Sequence, residues 1–395
     1  MVKKARSLCI CLALAILLVG CRNSTEINDL AFVMSIGVDN GDNEDEGQYN
    51  VTVQIAKTNS LNSSSGELGG GTKDDGFMNF SRSGIGIQLP IYEISRLINR
   101  ELYTGHTQVI VIGREAAQGD IAPILDHFIR SSDARFTISL LVAQDRADKI
   151  LAHPSEIENF PASHLQSLID SHSKTGDIVG TSIIDFLIEM VDHSTAPTIP
   201  IVKLVDDGTG DSQIVLDGMA VFKGSTMCDV LSPIQTKVMM AIRGGLNTGF
   251  FPIEAFGGHI VLRLSNSSSK MRPEYKDGKF RMVVDIVQEF SIVDTTADAD
   301  FLSYEERDEF AAILTDEGIR LFEDTLEHTK TQSLDVFGFG ECIRRHYPRE
   351  ARELIENWEE EYTELEVDFN LDIVVLSTGA ILKPLSPLSQ HDDTH

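Results

Sequence analysis

From residue 91 to residue 143 helical and extended patterns alternate, and this restricts the fold more than any other feature of the chain. Ile91, Ile94, Leu97 and Ile98 form one helical face, and Ile121, Leu125, Phe128 and Ile129 form a second. Residues 108–112 and 137–143 are short apolar runs of strand length. Helices that alternate with buried strands imply a sheet covered by helices.

The flanking segments extend that picture. Phe32, Met34, Ile36 and Val38 alternate as a strand does, and so do Val51, Val53 and Ile55, with Asn40-Gly41 turning between them. This predicts an antiparallel hairpin. Residues 59–76 are rich in Ser, Gly and Asn and read as a loop. Residues 147–168 read as helical, broken near Pro154 and Pro161. Residues 182–191 predict a helix with Ile184, Leu187, Ile188 and Val191 inward; Pro197 and Pro200 then interrupt. A Gly/Asp turn at 206–211 marks the expected main domain boundary.

Beyond it, strands at 215–223 and 226–231 make a hairpin around Gly224-Ser225, and a helix at 233–243 starts on a proline. Residues 258–264 and 280–293 are expected strands joined by a polar loop, with a turn at Asp277-Gly278. Ser303 and Glu306 have capping-box spacing before a helix whose core face is Phe310, Ile313, Leu314, Leu321 and Phe322. Residues 335–340 form a connector, followed by a helix around Trp358 and a last strand at 365–376. The fold class is therefore mixed α/β (α+β), with two or three domains, each a mostly antiparallel or mixed sheet packed with helices. Residues 21–205, with a subdomain break near 150–180, and 212–385 are the expected units, ahead of a polar tail at 386–395.

The first 20 residues stand apart. Lys3, Lys4 and Arg6 precede an uncharged apolar run at 8–19. That run is shorter than the roughly 20 apolar residues a bilayer span needs, and it suits the core of a signal peptide. It ends in Leu18-Val19-Gly20-Cys21, the pattern read by bacterial lipoprotein processing. Cys21 is the expected lipid attachment site: its thiol takes a diacylglycerol, and cleavage leaves it as the first residue, anchored to a lipid membrane.

Asp and Glu number 61 against 33 Lys and Arg, a net charge of -28, while 42% of residues are hydrophobic. The acidity belongs to the surface of folded domains and argues against nucleic acid, which needs clustered cations. Of five cysteines, Cys9 and Cys11 lie in the signal segment and Cys21 is used by lipid. Cys228 and Cys342 are expected as buried free thiols rather than a bridge. No G-x-S-x-G, H-E-x-x-H or Walker loop occurs, and Gly84-x-Gly86 lacks a third glycine. His106 reads as a turn or core histidine, and Asp74-Asp75 and Asp206-Asp207 fall in solvated turns. No catalytic, metal or cofactor residue is assigned. A glycosidase carries no local motif. A cortex peptidoglycan hydrolase and an extracytoplasmic solute-binding lipoprotein therefore stay open as alternatives.

Several stretches, in order along the chain, resemble one family. Cys21 with Glu26-Ile27-Asn28-Asp29-Leu30, then Ile36-Gly37-Val38-Asp39, Tyr49-Asn50-Val51-Thr52-Val53-Gln54-Ile55, Arg100-Glu101-Leu102-Tyr103-Thr104-Gly105-His106, Gly218-Met219-Ala220-Val221-Phe222-Lys223 and Asp335-Val336-Phe337-Gly338-Phe339-Gly340 are similar to the spore germination receptor C-subunit lipoproteins, the Ger(x)C family. Leu89-Pro90-Ile91 departs from the uninterrupted helix start expected there. The resemblance implies alpha/beta domains, no catalytic residue and no cofactor. It also implies a place on the outer face of the spore inner membrane beside two integral membrane subunits, A and B, in a nutrient germinant receptor.

Overall fold

β1 (Leu30–Asn40) and β2 (Tyr49–Ala56) form the expected antiparallel hairpin, and β3 (Phe77–Gly84) pairs along its outer edge. Next come α1 (Gln88–Ser95), β4 (Glu101–Tyr103), β5 (Val109–Ile112), α2 (Arg114–Ala117), α3 (Ala122–Arg130) and β6 (Ser139–Ala143). α4 (Ala147–Ala152), α5 (Pro161–Thr175) and α6 (Ile183–Asp192) lead to β7 (Thr198–Asp206), β8 (Ser212–Lys223) and β9 (Thr226–Leu231). These nine strands make one mixed sheet, ordered β3-β2-β1-β5-β6-β7-β8-β9, with β4 also beside β1. β1, β5, β6 and β7 run parallel at its centre, and the outer strands are antiparallel. In this computed structural model residues 29–41, 48–57, 76–131, 135–155, 157–206, 208, 212–297, 299–301 and 303–376 are described. Cys21, the signal segment 1–20, Glu26-Ile27-Asn28, the loop at 59–75, Asp74-Asp75, Asp207 and the tail at 386–395 lie outside the described residues.

The central strands are apolar throughout because both faces are covered. Ile110, Ile112, Leu140 and Val142 enter a core with Ile124, Leu125 and Phe128 of α3. Val109, Val111, Leu141 and Ala143 enter another with α4, α5 and the second half of the chain. That half holds α7 (Pro233–Arg243), β10 (Gly249–Ala255), β11 (Gly258–Lys276), β12 (Lys279–Thr295), α8 (Tyr304–Thr331), α9 (Phe339–His346), α10 (Ala351–Glu356), α11 (Trp358–Glu364) and β13 (Glu366–Leu376). Its four-stranded sheet is ordered β10-β11-β12-β13, with β12 and β13 parallel. α7 matches its sequence-predicted range, opened by a reciprocal cap between Ser232 and Gln235. The mixed α+β class is thus the observed one.

Several expectations are corrected. β7 runs through Pro200, which the ladder accommodates at a bulge between Pro200 and Val202. The polar stretch after Leu264 is not a loop: residues 265–276 continue β11 along β12, whose backbone satisfies theirs. α6 buries Ile183 and Phe186, with Phe186 edge-on to Phe222 at 5.0 Å, so Ile184, Ile188 and Val191 face out. Ser303 precedes α8 but makes no side-chain cap, because the Glu306 carboxylate accepts from the Asp300 amide instead. Ile313 is exposed, and α8 buries Phe310, Leu314, Phe322 and Leu326. Cys228 and Cys342 are free, but Cys228 is exposed and Cys342 half-buried.

Candidate functional site

The densest polar arrangement is the connector at residues 335–340. Asp335 is 3% exposed, and its carboxylate accepts four N–H groups. Oδ1 takes those of Phe337 (3.0 Å) and Gly338 (2.9 Å). Oδ2 takes those of Gly340 (2.8 Å) and the Trp358 indole (3.1 Å). Burial pushes this carboxyl above the usual range, while the backbone donors and the charge of Arg243 pull it down. Gly338 has φ +79°, a backbone angle that favours glycine, and this lets Phe337 and Phe339 stack at 5.2 Å inside the core.

The connector also joins the two halves of the chain. The Asp335 carbonyl accepts from the Ala196 amide at 2.8 Å, in the segment between α6 and β7. Arg243, at the end of α7, donates from Nε to the Val336 carbonyl at 2.6 Å and faces Glu189 of α6 at 3.5 Å. Arg344 of α9 reaches Asp192 at 2.9 Å. Every lone pair that a reacting group would need is already taken at Asp335. The arrangement holds the fold and offers no proton transfer to a substrate.

Other signature residues do similar work. Asp39 sits buried at the end of β1 and accepts from the amides of Ala147 (2.8 Å) and Asp148 (3.0 Å), closing the first turn of α4. Burial raises its pKa, and those two bonds oppose the rise. A Cβ at Gly113 would come within 2.1 Å of Asp39 Oδ1, so only glycine leaves room for the carboxylate. Buried Gln54 donates to the Leu151 carbonyl (2.9 Å) and accepts from the Ala162 amide (3.1 Å), tying β2 to α4 and α5. His106 is an exposed turn histidine packed against Phe32 and Tyr103 at 5.3 and 5.5 Å. Among the described residues no group of three metal-ligating side chains converges, and no helix is long and apolar enough to cross a membrane.

One exposed apolar stripe is the outer face of α6. Ile184, Ile188 and Val191 are 39%, 58% and 68% exposed, and Phe136, whose carbonyl accepts from the Ile184 amide, is 47% exposed. Sequence periodicity marks this stripe and assigns it to the core. The structure turns it to solvent.

The chain is a sheet-and-helix fold in which the signature residues described above hold elements together. The family model described as spore germination protein N-terminal domain matches residues 23–204, and that described as spore germination B3/GerAC like, C-terminal, matches residues 217–379. The chain belongs to this spore germination family. Spore germination protein KC of Bacillus subtilis (strain 168) is 26% identical over 410 residues, covering 98% of each chain. Spore germination protein YndF of the same organism is 23% identical, covering 94% of this chain and 96% of its own. The solved structure titled "Crystal Structure of the GerBC protein" is similar in fold, with TM-score 0.53 and 17% identity over 87% of this chain and 98% of that one.

Proposed function

We propose that this chain is the C subunit of a nutrient germinant receptor, needed for nutrient-triggered spore germination. It is held on the outer face of the spore inner membrane by diacylglycerol on Cys21. It performs no catalysis and works through contacts with the integral membrane subunits A and B, for which the apolar face of α6 is a suitable surface. The observation that carries this reading is the match of both spore germination domains, in order, over nearly the whole chain. The Leu18-Val19-Gly20-Cys21 box supports the anchor.

The test is Cys21→Ala in spores, with mass spectrometry of the wild-type N-terminus. Wild type should carry a diacylglyceryl Cys21, and the variant should leave the membrane fraction and lose the response to one class of nutrient. Two long acyl chains, at about 0.8 kcal/mol per buried methylene, hold firmly where none holds at all. An unmodified Cys21 in a membrane-bound protein refutes the anchor. Muropeptide release by the purified protein, abolished by changing one carboxylate, would put the hydrolase first.

A further inference from the structure

α1 leaves a second apolar surface open. Its inner side buries Pro90, Ile91 and Ile94. Leu89 and Tyr92, on its outer side, are 45% and 56% exposed, and Ile85 and Leu97, which flank the helix, are 77% and 52% exposed. Leu97 thus faces solvent, not the core side that the periodicity assigns to it. Arg96, the cap residue of α1, follows Tyr92 by four positions and continues the outer side. Arg82 of β3 is also exposed. It pairs with Val51, whose side chain enters the same core as Ile91 and Ile94, so it stands on the sheet face that α1 covers. Residues 77–100 carry three arginines and one acid, Glu93, a net +2 in a chain of net -28.

We infer that this face of α1 rests on the surface of an anionic lipid membrane, with Ile85, Leu89, Tyr92 and Leu97 in the headgroup layer and Arg82 and Arg96 against lipid phosphates. An exposed apolar patch flanked by cations has the composition of an interfacial membrane contact. Charge separates it from the other apolar stripe. α6 carries Asp185, Glu189 and Asp192 and no Lys or Arg, so anionic lipid repels it. Chain length agrees as well. β1 begins at Leu30, which pairs with Glu101 six residues after the end of α1. Cys21 lies nine residues before Leu30, so a lipid on it is held within about 30 Å of that pair. Only this last argument rests on the anchor proposed above.

The test is flotation of the full mature chain carrying Cys21→Ser, so that no acyl chain contributes, with vesicles at millimolar lipid. Vesicles of phosphatidylglycerol and phosphatidylcholine should bind it saturably, and vesicles of phosphatidylcholine alone at least about tenfold more weakly. Each arginine near an anionic surface contributes about 1 kcal/mol, about fivefold in binding. Arg82→Gln with Arg96→Gln should therefore weaken binding about twentyfold, and raised salt should weaken it too. Ile85→Ser with Leu89→Ser should weaken it at least about tenfold without unfolding the chain, since both side chains are exposed. Tyr92→Trp adds a depth probe that lipids brominated on their acyl chains should quench, with buried Trp358 as the unquenched reference. Mass spectrometry of the wild-type N-terminus reads the anchor separately, so failure of the anchor and failure of this surface are distinct results. No flotation with the anionic vesicles, undiminished binding by the double arginine variant, or an unquenched probe at position 92 in floated protein overturns the proposal. A dimer lost in Leu89→Ser, without flotation, would give the face to a second copy and overturn it too.

Discussion

Replacing Asp335 by asparagine keeps the outline of the side chain and changes what it can accept. In the native protein two N–H groups meet each carboxylate oxygen. Asparagine presents one oxygen and one NH₂, so in either orientation two buried donors face a donor. A hydrogen bond to a charged acceptor contributes about 1.5–3 kcal/mol, so losing two of them amounts to about 3–6 kcal/mol. Asparagine also removes the desolvation cost that raises the Asp335 pKa, which returns part of that loss. The expected net destabilisation is about 2–4 kcal/mol. Trp358 is the chain's one tryptophan and its indole is itself a donor to Asp335, so its fluorescence during urea unfolding reports on this connector directly. Asp192→Asn is the control: it breaks a partly exposed pair with Arg344 and should cost no more than about 1 kcal/mol. A stability of Asp335→Asn within about 0.5 kcal/mol of wild type would refute the reasoning, since that is the range of an inconsequential surface change.

Gly113→Ala should displace the Asp39 carboxylate from the first turn of α4 and destabilise the protein by about 1–3 kcal/mol, read as a lower thermal midpoint; an unchanged midpoint would show that α4 does not need this cap. Asp177 is held at a pKa of about 2, first by its hydrogen bond with His172 and then by Thr175 and Lys237. Because the folded pKa is depressed, its contribution is complete above the ordinary aspartate range and is lost as pH falls toward 2. Asp177→Asn should therefore flatten the loss of stability between about pH 4 and 2, by about 1 kcal/mol after solvent screening, as followed by pH-dependent thermal melts.

Local rules made much of this molecule legible. α7 and the β8–β9 hairpin carry their own start and stop residues, Ser232-Pro233 and Gly224-Ser225, and both form where the sequence places them. β3 was hidden because Met78, Ser81 and Arg82 face solvent, leaving no apolar alternation to detect. β7 was masked by Pro200, whose missing donor the bulge absorbs. α6 is apolar on two sides, and contacts such as that of Phe186 with Phe222, 36 residues downstream, decide which side turns inward. At the connector, the burial of Phe337 and Phe339 is readable from the glycines between them. The hold of Trp358 on Asp335 is not, because nothing in the sequence links two positions 23 residues apart.

The placement of β7 bears on how the chain matures. β7 pairs with β6 only at Val142–Ile201 and Ala143–Val202, but with β8 from Thr198 to Asp206. The last strand of the first matched region therefore depends on the first strand of the second. A ribosome adding about 5–20 residues per second needs about 1–3 s to pass from Asp206 to Lys223, the end of β8. Throughout that interval the long side of β7 presents unpaired backbone groups to any other nascent chain. A truncation that stops at the family boundary would make the interval permanent. Aggregates rather than a folded half are the outcome to expect from it, and a fragment must reach the end of β8 at Lys223 before β7 is paired.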